Sequence, residues 1–222
     1  MSSIISRARA TVGVDEKLND LVTLQMVGQL EPVARKVPPA KIVIISRKPA
    51  SQRMEIRVDD IVETTFLNGE EGCLVRSNSS NEAAQMRYLT QPEIERVAYN
   101  TRQLFSFFSP DFKHGERVTY EGLEMRRGVR CHKLLYTYPD GMSTTRYFCT
   151  ETDVLISTVT DNGIESVAVA TSTVQGIIFP KVIEYYNDGK KMHVISLSKI
   201  IVNNPLPEGI FDFPKMEQND GS

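Results

Sequence analysis

After Gly115 the chain becomes a succession of strand-length segments parted by turns that are too short to hold a crossover. Segments 118–123, 129–138, 142–150, 154–161, 164–170, 177–186 and 192–202 are separated by Gly128, Pro139-Asp140-Gly141, Asn162-Gly163 and Asn187-Asp188-Gly189. These residue types supply the fixed or positive φ that tight turns require. Parallel neighbours need a dozen or more connecting residues, so consecutive strands here must pair antiparallel.

The earlier part of the chain obeys the same period. Leu24, Met26, Gly28 and Leu30 alternate with Thr23, Gln25, Val27 and Gln29, a half-buried strand with a bend or close approach at Gly28. Pro32 and Pro38-Pro39 frame the connection to the β-branched run Ile42-Val43-Ile44-Ile45. From Gln52, one face carries Met54, Ile56 and Val58 and the other Arg53, Glu55, Arg57 and Asp59. A tight connection at Asp59-Asp60 leads to segment 61–67, and Asn68-Gly69 offers the positive-φ positions of a hairpin turn. A strand over 72–76 follows, and Ser77-Asn78-Ser79-Ser80-Asn81 reads as a loop.

Two stretches break the alternation. At the start, Ile4, Ile5, Ala8 and Val12 have the spacing of a short helix that Gly13 ends, and Asp15 can cap a second turn through Leu18. In the middle, Thr90-Gln91-Pro92-Glu93 has the form of a capping box with proline in the first turn. Ile94, Val97, Ala98, Thr101, Leu104, Phe105 and Phe108 then make a broad apolar stripe, with Pro110 beyond it as a stop. Three aromatics, Phe105, Phe107 and Phe108, exceed what a surface helix needs, so this helix is expected to pack on the dry face of the sheet. The expectation is one antiparallel β-rich domain over 1–222: a long curved sheet interrupted once by a helical insert, with a core over 4–214. Phe211-Asp212-Phe213-Pro214 reads as a docked aromatic peptide and 215–222 as a flexible tail.

Composition removes several function classes. With 26 basic and 28 acidic side chains the formal charge is -2, which gives no general attraction to nucleic acid or anionic lipid. Arg126-Arg127 with Arg130, Lys190-Lys191, and Tyr88, Tyr136, Tyr138 and Tyr147 could serve a single-stranded nucleic acid, but Glu121, Glu124 and Asp140 oppose it, and no nucleic acid is expected. The longest apolar runs fit strands, not a membrane span. Met1-Ser2-Ser3-Ile4 lacks the basic and apolar segments of a secretion signal, which leaves a cytoplasmic protein or an exported one without its leader.

Chemistry is equally sparse. His114, His132 and His193 fall into no zinc motif, and neither a nucleophile elbow nor a phosphate loop is present. Glu70-Glu71, Glu121 with Glu124, and Asp59-Asp60 are acidic pairs with no sign of the unequal environments that catalysis requires. No catalytic residue, cofactor or metal is assigned, and the chain is read as a non-enzyme. Cys73, Cys131 and Cys149 contain no C-x-x-C pair. A three-residue loop at Pro139-Asp140-Gly141 would set Tyr138 opposite Met142 and therefore Cys131 opposite Cys149, where a cross-link could form after export. A slip of one residue removes it.

Apolar surface is what remains in quantity. It can close a filled core or enclose a cavity for a hydrophobic ligand, and periodicity gives both the same pattern. Several ordered segments carry a resemblance: Arg53-Met54-Glu55-Ile56, Phe66-Leu67-Asn68-Gly69-Glu70-Glu71-Gly72, Cys131-His132-Lys133-Leu134, Thr144-Thr145-Arg146-Tyr147-Phe148, Val174-Gln175-Gly176-Ile177-Ile178-Phe179-Pro180, Lys199-Ile200-Ile201-Val202-Asn203-Asn204-Pro205-Leu206 and Phe211. Over about residues 4 to 214 the chain resembles the LolA/LolB-like outer-membrane lipoprotein carrier and sorting superfamily.

The resemblance implies an unclosed antiparallel half-barrel wrapped around helices. It also implies carriage of lipid or acylated cargo in the periplasm, with a hydrophobic ligand or acylated lipoprotein and a membrane-associated donor or acceptor protein as partners. In its terms Asn68-Gly69 is a turn between sheet strands and Gly176 to Pro180 opens a long late strand. The start carries no lipid-attachment cysteine, like a soluble mature or truncated carrier. Amphipathicity nominates Met54, Ile56 and Val58 on the sheet and Leu104, Phe105 and Phe108 on the helix as cavity residues. The alternative is an envelope structural or interaction module with a filled core.

Overall fold

The computed structural model describes residues 2–33, 37–78 and 81–214, without the side chains of 81–83; the tail expected over 215–222 lies outside the described residues. Helices α1 (Ser2–Ala10) and α2 (Asp15–Asp20) come first. Strands β1 (Thr23–Pro32), β2 (Ala40–Arg47), β3 (Ser51–Val58), β4 (Ile61–Asn68), β5 (Glu71–Asn78) and β6 (Asn81–Tyr88) precede helix α3 (Gln91–Ser106). Strands β7 (Arg117–Arg126), β8 (Val129–Thr137), β9 (Ser143–Cys149), β10 (Leu155–Thr160), β11 (Ile164–Val174), β12 (Ile177–Asn187) and β13 (Lys190–Val202) complete the chain.

All the strands belong to one 13-stranded sheet in the order β6-β5-β4-β3-β2-β1-β13-β12-β11-β10-β9-β8-β7. Every pairing among the described residues is antiparallel, including the central one, where β1 meets β13. The sheet is an unclosed half-barrel, as the resemblance implied, and its edges are β6 and β7. Tight turns drive the meander: at Arg127-Gly128 and Asp188-Gly189 both central residues have positive φ, the geometry whose twist suits adjacent strands.

Some sequence expectations need correction. Residues 77–81 are not a loop: Ser77 and Asn78 finish β5 and Asn81 begins β6, with 79–80 outside the described residues. The polar composition hid a hairpin, because an exposed edge strand needs no apolar face. The β4 to β5 turn is centred on Gly69-Glu70, since Asn68 pairs with Glu71. Asp15 is the first residue of α2 and does not cap it; Val14 holds the cap position, and the Asp15 carboxylate accepts from Arg9 Nε at 2.9 Å instead. Helix α3 ends at Ser106, before Pro110, because Phe107 and Phe108 both turn to positive φ (43° and 73°). Bulky residues occupy that region only under tertiary constraint.

Register assigns the faces. Met26 on β1 lies opposite Ile44 on β2, with Leu24 and Ile42, opposite Ser46 and Gly28, in the same phase, and Ile42 and Ile44 face Ile56 and Met54 on β3. This inner face receives the helices. One core cluster joins Leu18 and Leu21 to Leu24, Met26, Phe105, Ile177, Phe179, Leu197 and Val202. A second joins Ile4, Ile5 and Ala8 of α1 to Val118, Leu134, Tyr136, Tyr138 and Phe148. On the outer face the C-terminal peptide docks as expected. Phe211 is buried beneath the Arg47 guanidinium, and the Phe213 ring meets Phe66 and Tyr88 edge-on.

Candidate functional site

The one connection between strands that carries a long helix is also the one that joins the two edges of the sheet. Strand β6 ends at Tyr88, α3 runs from Gln91 to Ser106, and β7 begins at Arg117. Because β6 and β7 are the outermost strands, α3 spans the open side of the half-barrel. Its start is fixed by the expected capping box: the Glu93 carboxylate accepts from the Thr90 N–H at 2.8 Å and the Thr90 hydroxyl at 2.9 Å. Arg87, on edge strand β6, grips the same carboxylate at 2.8 Å. Together they hold Glu93 well below the usual carboxylate range, at about 2.

The other end of α3 is held by a side chain from the first helix. Arg9, on α1, donates from Nη1 to the Ser106 carbonyl at 2.7 Å and the Phe107 carbonyl at 3.3 Å, and from Nη2 to Asn19 Oδ1 of α2 at 3.3 Å. A cation among the free carbonyls of a helix C-terminus is favourable on charge as well as hydrogen bonding. Lys48 reinforces the junction by donating to the Asn19 carbonyl at 2.8 Å, with its ammonium 5.7 Å from the Phe105 ring centre; burial lowers its pKa.

Between these ends α3 presents apolar groups to both core clusters. Phe105 is buried in the first cluster with Leu104 and Phe107 packed beside it, and Phe107 meets Phe179 edge-on at 6.2 Å. Phe108 packs on the second, edge-on to Phe148 at 5.2 Å. Met54, Ile56 and Val58 stand half-buried on β3, on the inner face but in neither cluster. The six nominated residues therefore share one face of the sheet with α3. Leu104, Phe105 and Phe108 pack in or against its two core clusters, and α3 runs against β3, which carries the other three.

Half-buried side chains continue across the sheet. Leu30 faces Ile195, Ile195 faces Ile183 and Tyr185 faces His193, and all five are half-buried. The Tyr185 and His193 rings stack at 4.4 Å; burial raises the Tyr185 pKa and lowers that of His193.

A polar element that sequence reasoning missed lies under α3. Arg146 is buried on β9 with its guanidinium 4.1 Å from the Tyr136 ring centre, and its Nη2 donates to Gln103 Oε1 at 2.6 Å. Gln103 Nε2 in turn donates to buried Glu116 at 3.1 Å. Gln103 thus relays between a buried cation and a buried anion that do not pair directly, and Arg146 Nη1 has no hydrogen-bond partner. Alternation in 144–148 could have flagged it, because Arg146 falls in phase with inward-facing Phe148. Gln103 and Glu116 carry no such signal.

Several of the groups considered for other chemistry are occupied elsewhere, although Tyr88 is exposed. Arg126 and Arg127 both bind Glu165 at 2.9 Å, Lys191 binds Glu184 at 2.5 Å, and Tyr136, Tyr138 and Tyr147 are buried. Glu121 and Glu124 flank Lys133 at 3.2 and 3.3 Å. Among the described residues, no three histidine, cysteine or carboxylate groups are placed to hold a metal ion, and no helix is long and apolar enough to cross a membrane. One recess of about 260 Å³ lies between α1 and the segment after α3, lined by Ile5, Arg9, Pro110 and Phe112. Another of about 300 Å³ borders the start of α3 at Pro92, Arg96 and Met142.

No protein-family model and no curated protein matches the sequence. Solved structures do match over nearly the whole chain. A LolA superfamily protein from Nitrosomonas europaea superposes with a TM-score of 0.58 at 12% identity, covering 95% of this chain and 96% of that one. The chain has the LolA/LolB-like fold. An outer membrane lipoprotein-sorting protein domain from Vibrio parahaemolyticus gives a TM-score of 0.60 at 8% identity over 94% of each chain. A DUF1329 family protein from Desulfovibrio piger gives 0.61 at 11% identity over 95% of this chain and 96% of that one. At such identities the LolA/LolB-like fold is what the chains share, so the function must be argued from this chain's own inner face.

Proposed function

We propose that this chain is a non-enzymatic carrier that holds the acyl chain of a lipid or acylated protein, or a similar hydrophobic ligand, by non-covalent burial on the inner face of the half-barrel. The observation that carries this reading is the placement of α3. It lies across the open side, joins the two sheet edges, and shares the inner face with a half-buried apolar band formed by Ile56, Val58, Leu30, Ile183 and Ile195, the last packed against the core cluster that contains Phe105. A ligand entering along that band would displace or extend the contacts of Leu104, Phe105 and Phe108. Burial of each methylene contributes about 0.8 kcal/mol, so an acyl tail offsets the ordering costs of binding only if much of it leaves water. The periplasm suits this role, with a membrane-associated donor and acceptor at either end of the transfer.

A second reading has its own support. Phe105 and its neighbours fill the covered part of the inner face, and the recesses of about 260 and 300 Å³ lie at its margins, as a structural or interaction module with a filled core would require. Solvent extraction of the purified protein followed by mass spectrometry separates the two. A stoichiometric acyl lipid supports the carrier. Natively folded protein that emerges lipid-free and takes up none from mixed vesicles supports the module.

A further inference from the structure

Cys131 and Cys149 are directly opposite on β8 and β9. The hydrogen bonds on this hairpin fix what kind of pair they are. Tyr138 N–H donates to the Met142 carbonyl at 3.0 Å, and Thr150 N–H donates to the Arg130 carbonyl at 3.0 Å. The narrow, hydrogen-bonded pairs are therefore 138 with 142 and 130 with 150, and the pair in between, Cys131 with Cys149, is of the non-hydrogen-bonded kind. Its Cys149 N–H points the other way, to the Val154 carbonyl at 2.9 Å. Non-hydrogen-bonded pairs bring Cα atoms to about 4.5 Å with side chains leaning together, at the lower end of the roughly 4.4–6.8 Å that disulfides span.

We propose that Cys131 and Cys149 are a redox pair that closes reversibly to a cross-strand disulfide, with Cys149 as the attacking thiol. In this structure both thiols are free and buried. The roles differ by environment. Cys149 borders the exposed Glu151-Thr152 turn and its pKa is lowered by hydrogen bonds from the Thr152 side chain and the Glu151 backbone, so its thiolate is the more available nucleophile. Cys131 is fully buried, and burial together with the neighbouring Cys149 raises its pKa. Cys73 lies on β5, and burial raises it too.

The oxidant is a low-molecular-weight disulfide. Cys149 thiolate attacks one of its sulfurs, forming a mixed disulfide and releasing one thiolate. Cys131 then loses its proton and attacks the Cys149 sulfur, expelling the second thiolate. The protein gives up two electrons and two protons, and the oxidant becomes two thiols. The β9–β10 turn adjoining the bond also holds α1: Asp153 N–H donates to the Cys149 carbonyl at 3.0 Å, and its carboxylate accepts from Arg7 Nε at 2.9 Å. Oxidation therefore fixes the strand pair from which this turn leaves toward the first helix. The inference is independent of the carrier reading.

The test equilibrates the full chain in glutathione buffers of stepped redox ratio, then quenches with acid and alkylates, reading thiols by intact mass and linkage by peptide mapping. We expect two thiols to vanish together, a Cys131–Cys149 linked peptide, and an alkylated Cys73. Cys131→Ser should stop at one glutathione adduct on Cys149, and Cys73→Ser should behave as the parent. Three alkylatable thiols in the most oxidising buffer, with native circular dichroism, would overturn the proposal, as would a link that involves Cys73.

Discussion

Arg9 Nη1 donates to the Ser106 carbonyl at 2.7 Å, so a residue of the first helix satisfies the backbone at the end of the helix that spans the open sheet. The Arg9 side chain is one-tenth exposed and its guanidinium also binds Asp15 at 2.9 Å. Arg9→Met keeps much of the aliphatic stem but leaves the Ser106 and Phe107 carbonyls without this donor. Loss of hydrogen bonds to a charged group predicts destabilisation by roughly 2–3 kcal/mol. Hydrogen exchange should localise the loss to 100–108, and in the carrier reading, where a ligand displaces the contacts of Leu104, Phe105 and Phe108, acyl-probe uptake should become faster.

Glu93 gives a pH dependence with a definite sign. Its carboxyl is depressed from 4.5 to about 2 in the folded chain by Arg87 and the Thr90 cap. A depressed carboxylate favours folding above its unfolded pKa, and that contribution fades as pH falls through the folded value. Melting temperatures of the parent and Glu93→Gln should therefore differ at pH 6, stay apart until about pH 4.5, and converge toward pH 2. A constant gap would remove the charge from the account.

Gly28 sits where β1 shifts register against β13, and a Cβ there would lie 2.4 Å from the Ser196 carbonyl oxygen. Backbone is what it would strike, so Gly28→Ala must separate the two strands that close the middle of the sheet. Chemical denaturation should show a loss of about 1–3 kcal/mol, the usual cost of forcing extra volume into packed structure.

The proposed role of Phe105 has its own test. Phe105→Ala removes a buried ring and should cost about 3–5 kcal/mol. In the carrier reading it should also enlarge the site beneath α3 and admit bulkier acyl probes than the parent does. Lower stability with unchanged probe selectivity would place Phe105 in a purely structural core.

Much of this architecture was legible because it is local. Alternation at Met54, Ile56 and Val58 and the turns at Arg127-Gly128 and Asp188-Gly189 are period and dihedral signals, and so is the Thr90 to Glu93 box. Turn length even fixed a long register, Cys131 against Cys149. Strand β6 escaped because it is a polar edge with no dry face to announce it. The α3 terminus escaped because the left-handed Phe107 and Phe108 are imposed by Phe179, Phe148 and Arg9, which are distant in the chain. Gln103 and Glu116 escaped for the same reason, since a buried relay to Arg146 depends on contacts across several dozen residues.

Equilibrium titration with a fluorescent fatty acid tests directly whether the inner face binds an acyl chain. Saturable binding at one site per chain is expected, weakened tenfold or more by Ile56→Glu, which sets a carboxylate on the apolar band. Absence of saturable binding by natively folded parent protein, or binding that Ile56→Glu leaves unchanged, would contradict it.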